Sequence, residues 1–359
     1  MSNPLLTEDV SELRTEALQL SVAPMMEWTD RHCRYFHRLL APKALLYTEM
    51  VTTGALLHGP QKRLLGHSAE EHPVALQLGG CEPEALAQCA RLGEQAGYDE
   101  INLNLGCPSD RVQHARIGAC LMREPLLVAD AVSAMRSAVR CPVTVKCRLG
   151  VDNDDSFEFL SNLVATLASA GCTRFIVHAR KALLSGLTPA QNRSIPALDY
   201  DRVGQLKTAF PHLSIIINGG IDNLALVQSL LQPSAAGPAV DGVMLGRAAY
   251  QNPWLLTQLS THLHTTVPPA SRHAIAASML PYIEAHLADG GRLHDITRHM
   301  LGLFNGLPGA RRFRRILSGP AARRSSTEAL FEALDAVRER QPADASEHHR
   351  ETLTATGAS

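Results

Sequence analysis

The sequence predicts an α/β fold, a (β/α)₈ TIM barrel followed by a smaller all-helical C-terminal domain. Eight short β-branched or apolar runs alternate with amphipathic stretches over about 240 residues, which is the pattern of a parallel barrel. After about residue 258 the strand pattern stops and only helix-like segments follow. The rival is an open doubly wound sheet, which a G-x-G-x-x-G turn after the first strand would favour, and the sequence has none there.

The eight predicted strands are separated by segments whose apolar residues recur every three or four positions, as in 82–97 and 123–139. The strands are SVAPM (21–25), ALLYTEM (44–50), VALQLG (74–79), EINLNLG (100–106), PVTVKCRLG (142–150), FIVHAR (175–180), SIIINGG (214–220) and GVMLGRA (242–248).

The predicted domain organisation has four parts. An N-terminal extension covers 1–20, the barrel 21–257, a helical domain 258–340 and a disordered tail 341–359. Within the helical domain we expect helices at 271–289, 292–305, 309–318 and 326–340.

Composition indicates a soluble globular protein, with 45% apolar and 19% charged residues. No apolar run approaches the roughly 18 residues of a membrane helix. The first twenty residues carry acids and lack a signal-peptide pattern, so we expect a cytoplasmic protein without a membrane partner. Because the net charge is −1, a nucleic-acid partner would have to meet local basic patches.

The eight cysteines form no C-x-x-C pair, and the sixteen histidines lack the spacing of metal ligands. We therefore expect no metal site. Most cysteines are interpreted as small apolar core residues. Cys107 differs because it follows a strand in a Gly-Cys-Pro corner.

Alternate residues of a strand point to opposite faces, and in four predicted strands one face is apolar. The apolar face must pack under the helices, so the polar face looks into the barrel, where an unpaired charge is costly. No acid is evident on that face to pair with Lys146 and Arg148. A bound anionic ligand explains this imbalance better than an internal salt-bridge network. The inward residues would be Ala75, Gln77, Gly79, Asn102, Asn104, Thr144, Lys146, Arg148, Ile176, His178 and Arg180.

The last two predicted strands end in glycines that are followed by helix-like segments, at Gly219-Gly220 and at Gly246-Arg247. Glycines let backbone approach a ligand, and barrels often bind phosphate at the loops after strands seven and eight. A tight turn alone would account for either pair. Together, beside Arg247, they favour a phosphorylated cofactor.

Several short blocks resemble the tRNA-dihydrouridine synthases, most closely their bacterial A-type branch, from about residue 21 to 316. The resemblance implies a barrel that holds FMN, a helical tRNA-binding domain, NADPH as reductant and reduction of uridines 20 and 20a of the tRNA D-loop. The blocks are VAPMMEWTDRHCR, VALQLGG, EINLNLGCPSDRV, TVKCRLG, HARKALLSGLTPAQNR, NGGI and DGVMLGRAAYQNPW.

The resemblance also implies roles for individual residues. Cofactor contacts would come from Pro24, Met25, Met26, Gln77, Lys146, His178, Asn218, Gly219, Gly220, Gly246 and Arg247. Substrate contacts would come from Asn104, Arg148, Arg180, Arg193, Arg311 and Arg314, with Cys107 as the proton donor. Cys147 stands where relatives commonly have Thr or Ser, on the face that looks toward the helices.

The implied chemistry gives the Gly-Cys-Pro corner a reason. Reduction of the uracil C5–C6 bond needs a hydride at C6, supplied by N5 of reduced FMN, and a proton at C5. A thiol is mostly protonated at pH 7 and is weakly hydrated, so Cys107 can serve as the acid beside an apolar base. A nucleophilic role would need an activating base such as His178 or His114, and an inert buried cysteine fits this corner poorly.

Two arginine groups are predicted to contact RNA phosphate. Arg180 and Arg193 lie in a long segment after the sixth predicted strand, and GARRFRRIL places Arg311 and Arg314 at helical i, i+3 spacing. A solvated basic helix face is the alternative. The base itself must be extruded from the folded RNA to reach a barrel pocket.

Two other functions stay open. A flavin barrel that acts on a free pyrimidine, such as a dihydroorotate dehydrogenase-like enzyme, would not need the helical domain. A non-catalytic tRNA-binding protein or chaperone would use the same scaffold without flavin.

Overall fold

A computed structural model describes residues 19–109, 113, 115–235, 237–323 and 326–337. The predicted extension up to residue 18 and the predicted tail 341–359 lie outside these residues. The chain divides into two compact units between Pro268 and Pro269. The predicted barrel boundary at 257 instead falls within a helix of the first unit, Trp254–His264.

The first unit is a closed parallel barrel. Eight strands pair in chain order, and the last one described pairs with the first, which closes the cylinder. A ninth short strand, β3, pairs only with the end of β4. The strands are β1 (Gln19–Val22), β2 (Leu45–Tyr47), β3 (Val51–Thr52), β4 (Val74–Gly79), β5 (Glu100–Leu105), β6 (Val143–Arg148), β7 (Arg174–His178), β8 (Ser214–Asn218) and β9 (Gly242–Leu245). The predicted (β/α)₈ barrel is confirmed.

Helices connect the strands and cover the barrel. Many begin at a residue that can satisfy their free N–H groups, as Asp30 does for α1 and Ser156 for α6. The helices of this unit are α1 (Arg31–Leu40), α2 (Thr53–His58), α3 (Gln61–Leu64), α4 (Pro83–Gln95), α5 (Pro125–Ala138), α6 (Phe157–Ser169), α7 (Tyr200–Ala209), α8 (Leu224–Leu230), α9 (Arg247–Gln251) and α10 (Trp254–His264). No helix among the described residues is long and apolar enough to cross a membrane.

Strand parity places side chains as predicted. Tyr47, Ala75 and Ile176 belong to one buried cluster with residues of three other strands or strand ends, which fills the barrel interior. Polar residues of β4, β5 and β6 also lie side by side, as in the row Gln77–Asn102–Thr144. The interior therefore combines a packed apolar core with a connected set of buried polar side chains.

The second unit is helical over its described part. Its helices are α11 (Arg272–Ser278), α12 (Leu280–Ala288), α13 (Leu293–Thr297), α14 (Ala310–Leu317) and α15 (Glu328–Asp335). The predicted helix at 292–305 is wrong beyond Thr297. Successive i→i+3 hydrogen bonds form turns there and bury Leu303 and Phe304, so apolar spacing suggested a helix that the backbone does not continue.

Candidate active site

The carboxyl ends of the strands gather most of the predicted site residues at one mouth of the barrel. Strand pairing places Asn104 beside Lys146, and His178 between Arg148 and Asn218. In barrel enzymes this face carries the active site. The positions that sequence parity singled out thus converge on one place.

Lys146 lies partly buried in this mouth. Its Nζ donates to Asn218 Oδ1 at 3.1 Å, and Asn218 Nδ2 donates in turn to the Met244 carbonyl at 2.7 Å. Burial, and then the charge of Arg148, lower the pKa of Lys146 to about 8. Lys146 is therefore a cation that an anionic ligand would stabilise.

Arg148 is buried and ties two loops to the barrel. Its Nε donates to the Gly106 carbonyl at 2.8 Å, while Nη1 donates to the Lys181 and Asn192 carbonyls at 3.1 and 3.0 Å. Burial lowers its pKa to about 10. The contacts shown thus hold the loop after β5 against the loop after β7.

His178 is buried and held neutral. Burial, and then Arg148 and Lys146, lower its pKa well below the ordinary value for histidine. Its ring packs on Gly219, where a Cβ would lie 2.5 Å from His178 Cδ2 and where φ is +114°. Gly219 is therefore required by the fold, through both its backbone conformation and its contact with His178.

Cys107 lies partly exposed on the loop after β5, and its backbone is fixed. Asn104 Oδ1 accepts from the Cys107 and Gly106 N–H groups at 3.0 Å each, and the Cys107 carbonyl accepts from Ala119 N at 2.9 Å. Within the described residues the thiol contacts Ser109 Oγ at 3.6 Å, and no histidine reaches it. His114 lies outside them. The contacts shown provide no activating base for a nucleophilic thiol.

Gln77 lies deeper than Asn104 and is fully buried. Its Oε1 accepts from Asn104 Nδ2 at 2.7 Å, and its Nε2 donates to Asn102 Oδ1 at 2.8 Å. An amide NH₂ group has two N–H bonds, so Gln77 keeps one for a ligand.

The loops after β1, β8 and β9 also border the mouth. Pro24 and Met25 are half-buried and Met26 is 61% exposed, with the turn closed by the Met25 N–H on Thr29 Oγ1 at 2.9 Å. Gly220 has φ +69°, and a Cβ there would lie 2.6 Å from Leu198. A Cβ at Gly246 would meet no atom within 4 Å. Neither packing nor a positive φ therefore requires glycine at 246.

Positive charge accumulates at this mouth. Arg180, Arg193 and Arg247 join Lys146 and Arg148, and Arg247 Nη2 donates to the Arg193 carbonyl at 3.1 Å. Burial, with Arg247 opposing its charge, lowers the pKa of Arg180. In the part of the chain that the structure describes, none of these five cations forms an ion pair. An uncompensated cluster of this kind attracts anions.

The sequence showed no inward acid that could pair with Lys146 and Arg148, but the structure does place one acid in the barrel interior. Glu100, the first residue of β5, is buried and accepts from Tyr47 at 2.6 Å, Thr144 at 2.6 Å and Arg174 at 2.8 Å. It shares the parity of Asn102, so sequence parity could have found it. Because its partners lie at the opposite end of the barrel, the cations of the mouth stay uncompensated.

That opposite end also contains a cavity of about 240 Å³, lined among others by Gln19, Lys43, Asp99 and Arg174. Its charges are mostly paired, since Arg174 binds Glu100 and Asp99 binds His72. The cavity therefore offers less net charge to a ligand than the mouth does.

Arg311 and Arg314 lie in the second unit, on α14. They are exposed together with Arg312 and Arg315, whereas Phe313 packs inside. Arg312 lies 4.0 Å from Glu332, and Arg314 donates to Asn305 Oδ1. The helix thus presents an arginine-rich outer face.

Among the described residues, no three His, Cys, Asp or Glu side chains come together as metal ligands. Fold and site together define a (β/α)₈ barrel enzyme with a cationic mouth and the thiol of Cys107 on its rim.

Comparisons with known proteins identify the family. The profile of the dihydrouridine synthase (Dus) family matches residues 21–338. The chain therefore belongs to the dihydrouridine synthases, oxidoreductases that modify tRNA.

Two similar proteins are both named tRNA-dihydrouridine(20/20a) synthase. The one from Pseudomonas syringae pv. tomato is 60% identical over 84% of this chain and 88% of its own length. The one from Shewanella oneidensis is 56% identical over 88% of this chain and 92% of its own length. Among solved structures, morphinone reductase aligns with 72% of this chain and 88% of its own at 13% identity and a TM-score of 0.49.

Proposed function

We propose that this chain reduces uridines 20 and 20a in the D-loop of tRNA to 5,6-dihydrouridine, with FMN at the barrel mouth and NADPH as reductant. The observation that carries the proposal is the mouth itself, where a rim thiol and uncompensated cations meet above buried amides. Relatives at 56–60% identity bear a name that specifies these two uridines.

The residues of the mouth fit FMN. Its phosphate would meet the backbone at Gly246, where side-chain space is open, and the charge of Arg247, while Lys146 lies within the same mouth. Gln77 has one N–H left for an acceptor atom of the flavin ring. His178 and Asn218 would border the cofactor, as would Pro24, Met25, Met26, Gly219 and Gly220. Bound and reduced, FMN would supply the hydride to C6 of the uracil.

The protein itself supplies the proton. Cys107 donates it to C5, and Asn104 fixes the backbone that carries the thiol. Because the described hydrogen bonds of the thiol include no base, only Ser109 Oγ, Cys107 is interpreted as an acid and not as an activated nucleophile. Asn104 would also border the uracil.

The RNA would be held by arginines. Arg180 and Arg193 would lie beside the base once it is extruded into the barrel mouth, and Arg148 holds their loop in place. Arg311 and Arg314 would contact RNA phosphates, since phosphate contacts position an RNA without reading its sequence.

The test is to map dihydrouridine by mass spectrometry in tRNA from cells with and without the gene. We expect loss at positions 20 and 20a alone, and restoration by the intact gene. Loss at other positions, or at none, would contradict the assignment. A purified protein with flavin absorbance would exclude the non-catalytic RNA-binding alternative.

An enzyme of the dihydroorotate dehydrogenase type would act on a free pyrimidine. We therefore compare turnover of uridine monophosphate with turnover of tRNA in the same preparation. The arginine-rich face of α14 favours tRNA, because a cluster of arginines suits a chain of phosphates and a mononucleotide carries only one. Equal rates on both substrates would favour the alternative.

A further inference from the structure

A continuous chain of hydrogen bonds crosses the barrel interior from its lower end to the Cys107 loop. All its side chains are buried, with Asn104 the most exposed at 9%. Its links in order are Thr144 Oγ1 to Glu100 Oε1 (2.6 Å), Asn102 Nδ2 to Thr144 Oγ1 (2.8 Å), Gln77 Nε2 to Asn102 Oδ1 (2.8 Å), Asn104 Nδ2 to Gln77 Oε1 (2.7 Å), and Cys107 N to Asn104 Oδ1 (3.0 Å).

The carboxylate of Glu100 sets the direction of this chain. A carboxylate only accepts, so Thr144 must donate its single proton to Glu100 and must then accept from Asn102. Two further donors, Tyr47 and Arg174, hold the carboxylate in place. The first link can therefore run in one direction only.

Each later amide inherits that direction. Asn102 uses its NH₂ group on Thr144, so its oxygen faces Gln77, and the oxygen of Gln77 in turn faces Asn104. Asn104 then presents its oxygen to the N–H groups of Gly106 and Cys107. A reversed Asn104 would place its NH₂ group against those two donors, and both N–H groups would lose their acceptor.

The same order turns the side-chain oxygens of Asn102, Gln77 and Asn104 toward the mouth end of the chain. Gln77 and Asn104 each spend one N–H within the chain, and each NH₂ group has a second. The hydrogen-bonded chain runs from Glu100 to Asn104, four residues along β5, or roughly 13 Å at about 3.3 Å per residue. A residue at the lower end of the barrel can therefore set the geometry at the upper end.

We propose that Glu100 and Thr144 are positioning residues that orient the amides of Asn102, Gln77 and Asn104, and through them the Cys107 loop. The expected effect on the rate of dihydrouridine formation rests on the proposed function, in which Cys107 delivers the proton. The expected effect on the reactivity of the Cys107 thiol rests only on the hydrogen bonds described above.

The test compares Thr144→Val, which keeps the shape but removes the hydroxyl, with Thr144→Ser, which keeps the hydroxyl. For Thr144→Val we expect single-turnover formation of dihydrouridine to fall about tenfold, the loss of one hydrogen-bond link. NADPH-driven reduction of the enzyme should change less than threefold. Thr144→Ser should return the tRNA step to within twofold of wild type.

A second readout needs no activity. The rate of Cys107 alkylation by iodoacetamide, followed by mass spectrometry of its peptide, should change at least threefold in Thr144→Val and not in Thr144→Ser. Ile216→Val is the matched control, since it removes a methyl group from the same barrel interior without touching the chain. It should leave both rates within twofold of wild type.

A purely structural role would shift the melting temperature of Thr144→Val but leave both rates like those of Ile216→Val, and that result would overturn the proposal. If Thr144→Val does not fold, Glu100→Gln serves instead, because its amide can donate and lets the hydroxyl of Thr144 turn around. Wild-type rates in that variant would also overturn it. A wild-type protein that makes no dihydrouridine would refute the proposed function, while the alkylation result would still decide the positioning proposal.

Discussion

The two ends of the barrel treat buried charge in opposite ways. At the lower end Glu100 is paired with Arg174 and bonded to Tyr47 and Thr144. At the mouth Lys146 and Arg148 have polar partners but no carboxylate among the described residues. Charges at the lower end are therefore compensated within the protein. The positive charges at the mouth are not, and a bound anion would compensate them.

The pKa shifts follow the same division. At the lower end burial, and then Glu100, raise the pKa of Tyr47 well above its usual value, so Tyr47 remains a donor to the carboxylate. At the mouth burial and like charges lower the pKa values of Lys146 and Arg148 to about 8 and about 10. Buried charges that lack an opposite partner destabilise a fold, and a bound anion would relieve that cost.

The largest expected effect is that of Cys107→Ala, which should lower activity at the mouth without changing the stability of the barrel. Removing the acid should lower the rate of dihydrouridine formation by about 10²–10⁴-fold, the usual contribution of a general acid. Flavin content and the free energy of unfolding should stay at wild-type values, because the thiol is partly exposed and its described hydrogen bond to Ser109 is long, at 3.6 Å. Single-turnover kinetics, absorbance and urea unfolding measure the three quantities.

Cys81→Ala is the control, since Cys81 is another partly exposed cysteine on a loop of the same barrel. Its rate should equal that of wild type. A Cys107→Ala enzyme that turns over at an unchanged rate would remove the acid from the proposed mechanism.

The next comparison removes a paired charge at the lower end, with Glu100→Ala, and an unpaired charge at the mouth, with Lys146→Met. Glu100→Ala leaves Arg174 without its partner and should lower the free energy of unfolding by ~3 kcal/mol. Lys146→Met removes an unpaired charge, so the flavin-free protein should be as stable as wild type or more so, while flavin retention should weaken. Equal destabilisation by both variants in urea unfolding would erase the distinction between the two ends.

The arginines of α14 extend the comparison to the second unit. Arg311→Ala with Arg314→Ala should weaken tRNA binding and reduce the slope of log affinity against log salt by about 2, one for each lost phosphate contact. NADPH oxidation should not change. Arg116→Ala, which removes an exposed arginine paired with Glu124, is the control. A salt slope equal to that of the control would mean that α14 presents only a solvated face.

The sequence predicted the barrel and most of the mouth because both depend on a period of two. Parity alone placed Lys146, Arg148 and His178 on one face, and strand pairing did bring them together. The same rule, applied one residue earlier, would have revealed Glu100. The functional roles came from family resemblance, since parity cannot tell an FMN contact from any other anion contact.

Other features depend on contacts that no local pattern encodes. Arg148 binds the carbonyls of Lys181 and Asn192, which lie in a loop without periodic structure. The helix predicted at 292–305 stops at Thr297 because turns bury the same apolar residues that a helix would. Both outcomes were decided by tertiary packing.

Substitutions at two glycines of the mouth should affect stability and FMN binding differently. Gly246→Ala should leave the free energy of unfolding within about 0.5 kcal/mol of wild type, because its Cβ meets no atom within 4 Å. It should nevertheless weaken FMN binding about tenfold, through loss of close backbone approach. Gly219→Ala should instead destabilise the protein, since its Cβ would lie 2.5 Å from His178 at φ +114°. Similar behaviour of the two variants in FMN titrations and urea unfolding would contradict this separation.

The smallest expected effect is the pH dependence of the uncompensated charge. Lys146 is protonated below its pKa of about 8, so affinity for FMN should fall as pH rises from 7 to 9, at most about tenfold for one titrating group. Without FMN the unfolded state binds more protons between about 8 and about 10.4, so the stability contributed by this group should rise with pH in that window. Lys146→Arg stays charged throughout, and its FMN affinity should be flat from pH 7 to 9. If the FMN affinity of Lys146→Arg fell equally between pH 7 and 9, the titrating group would be another residue. Lys146 would then not be one of the charges that bind the ligand.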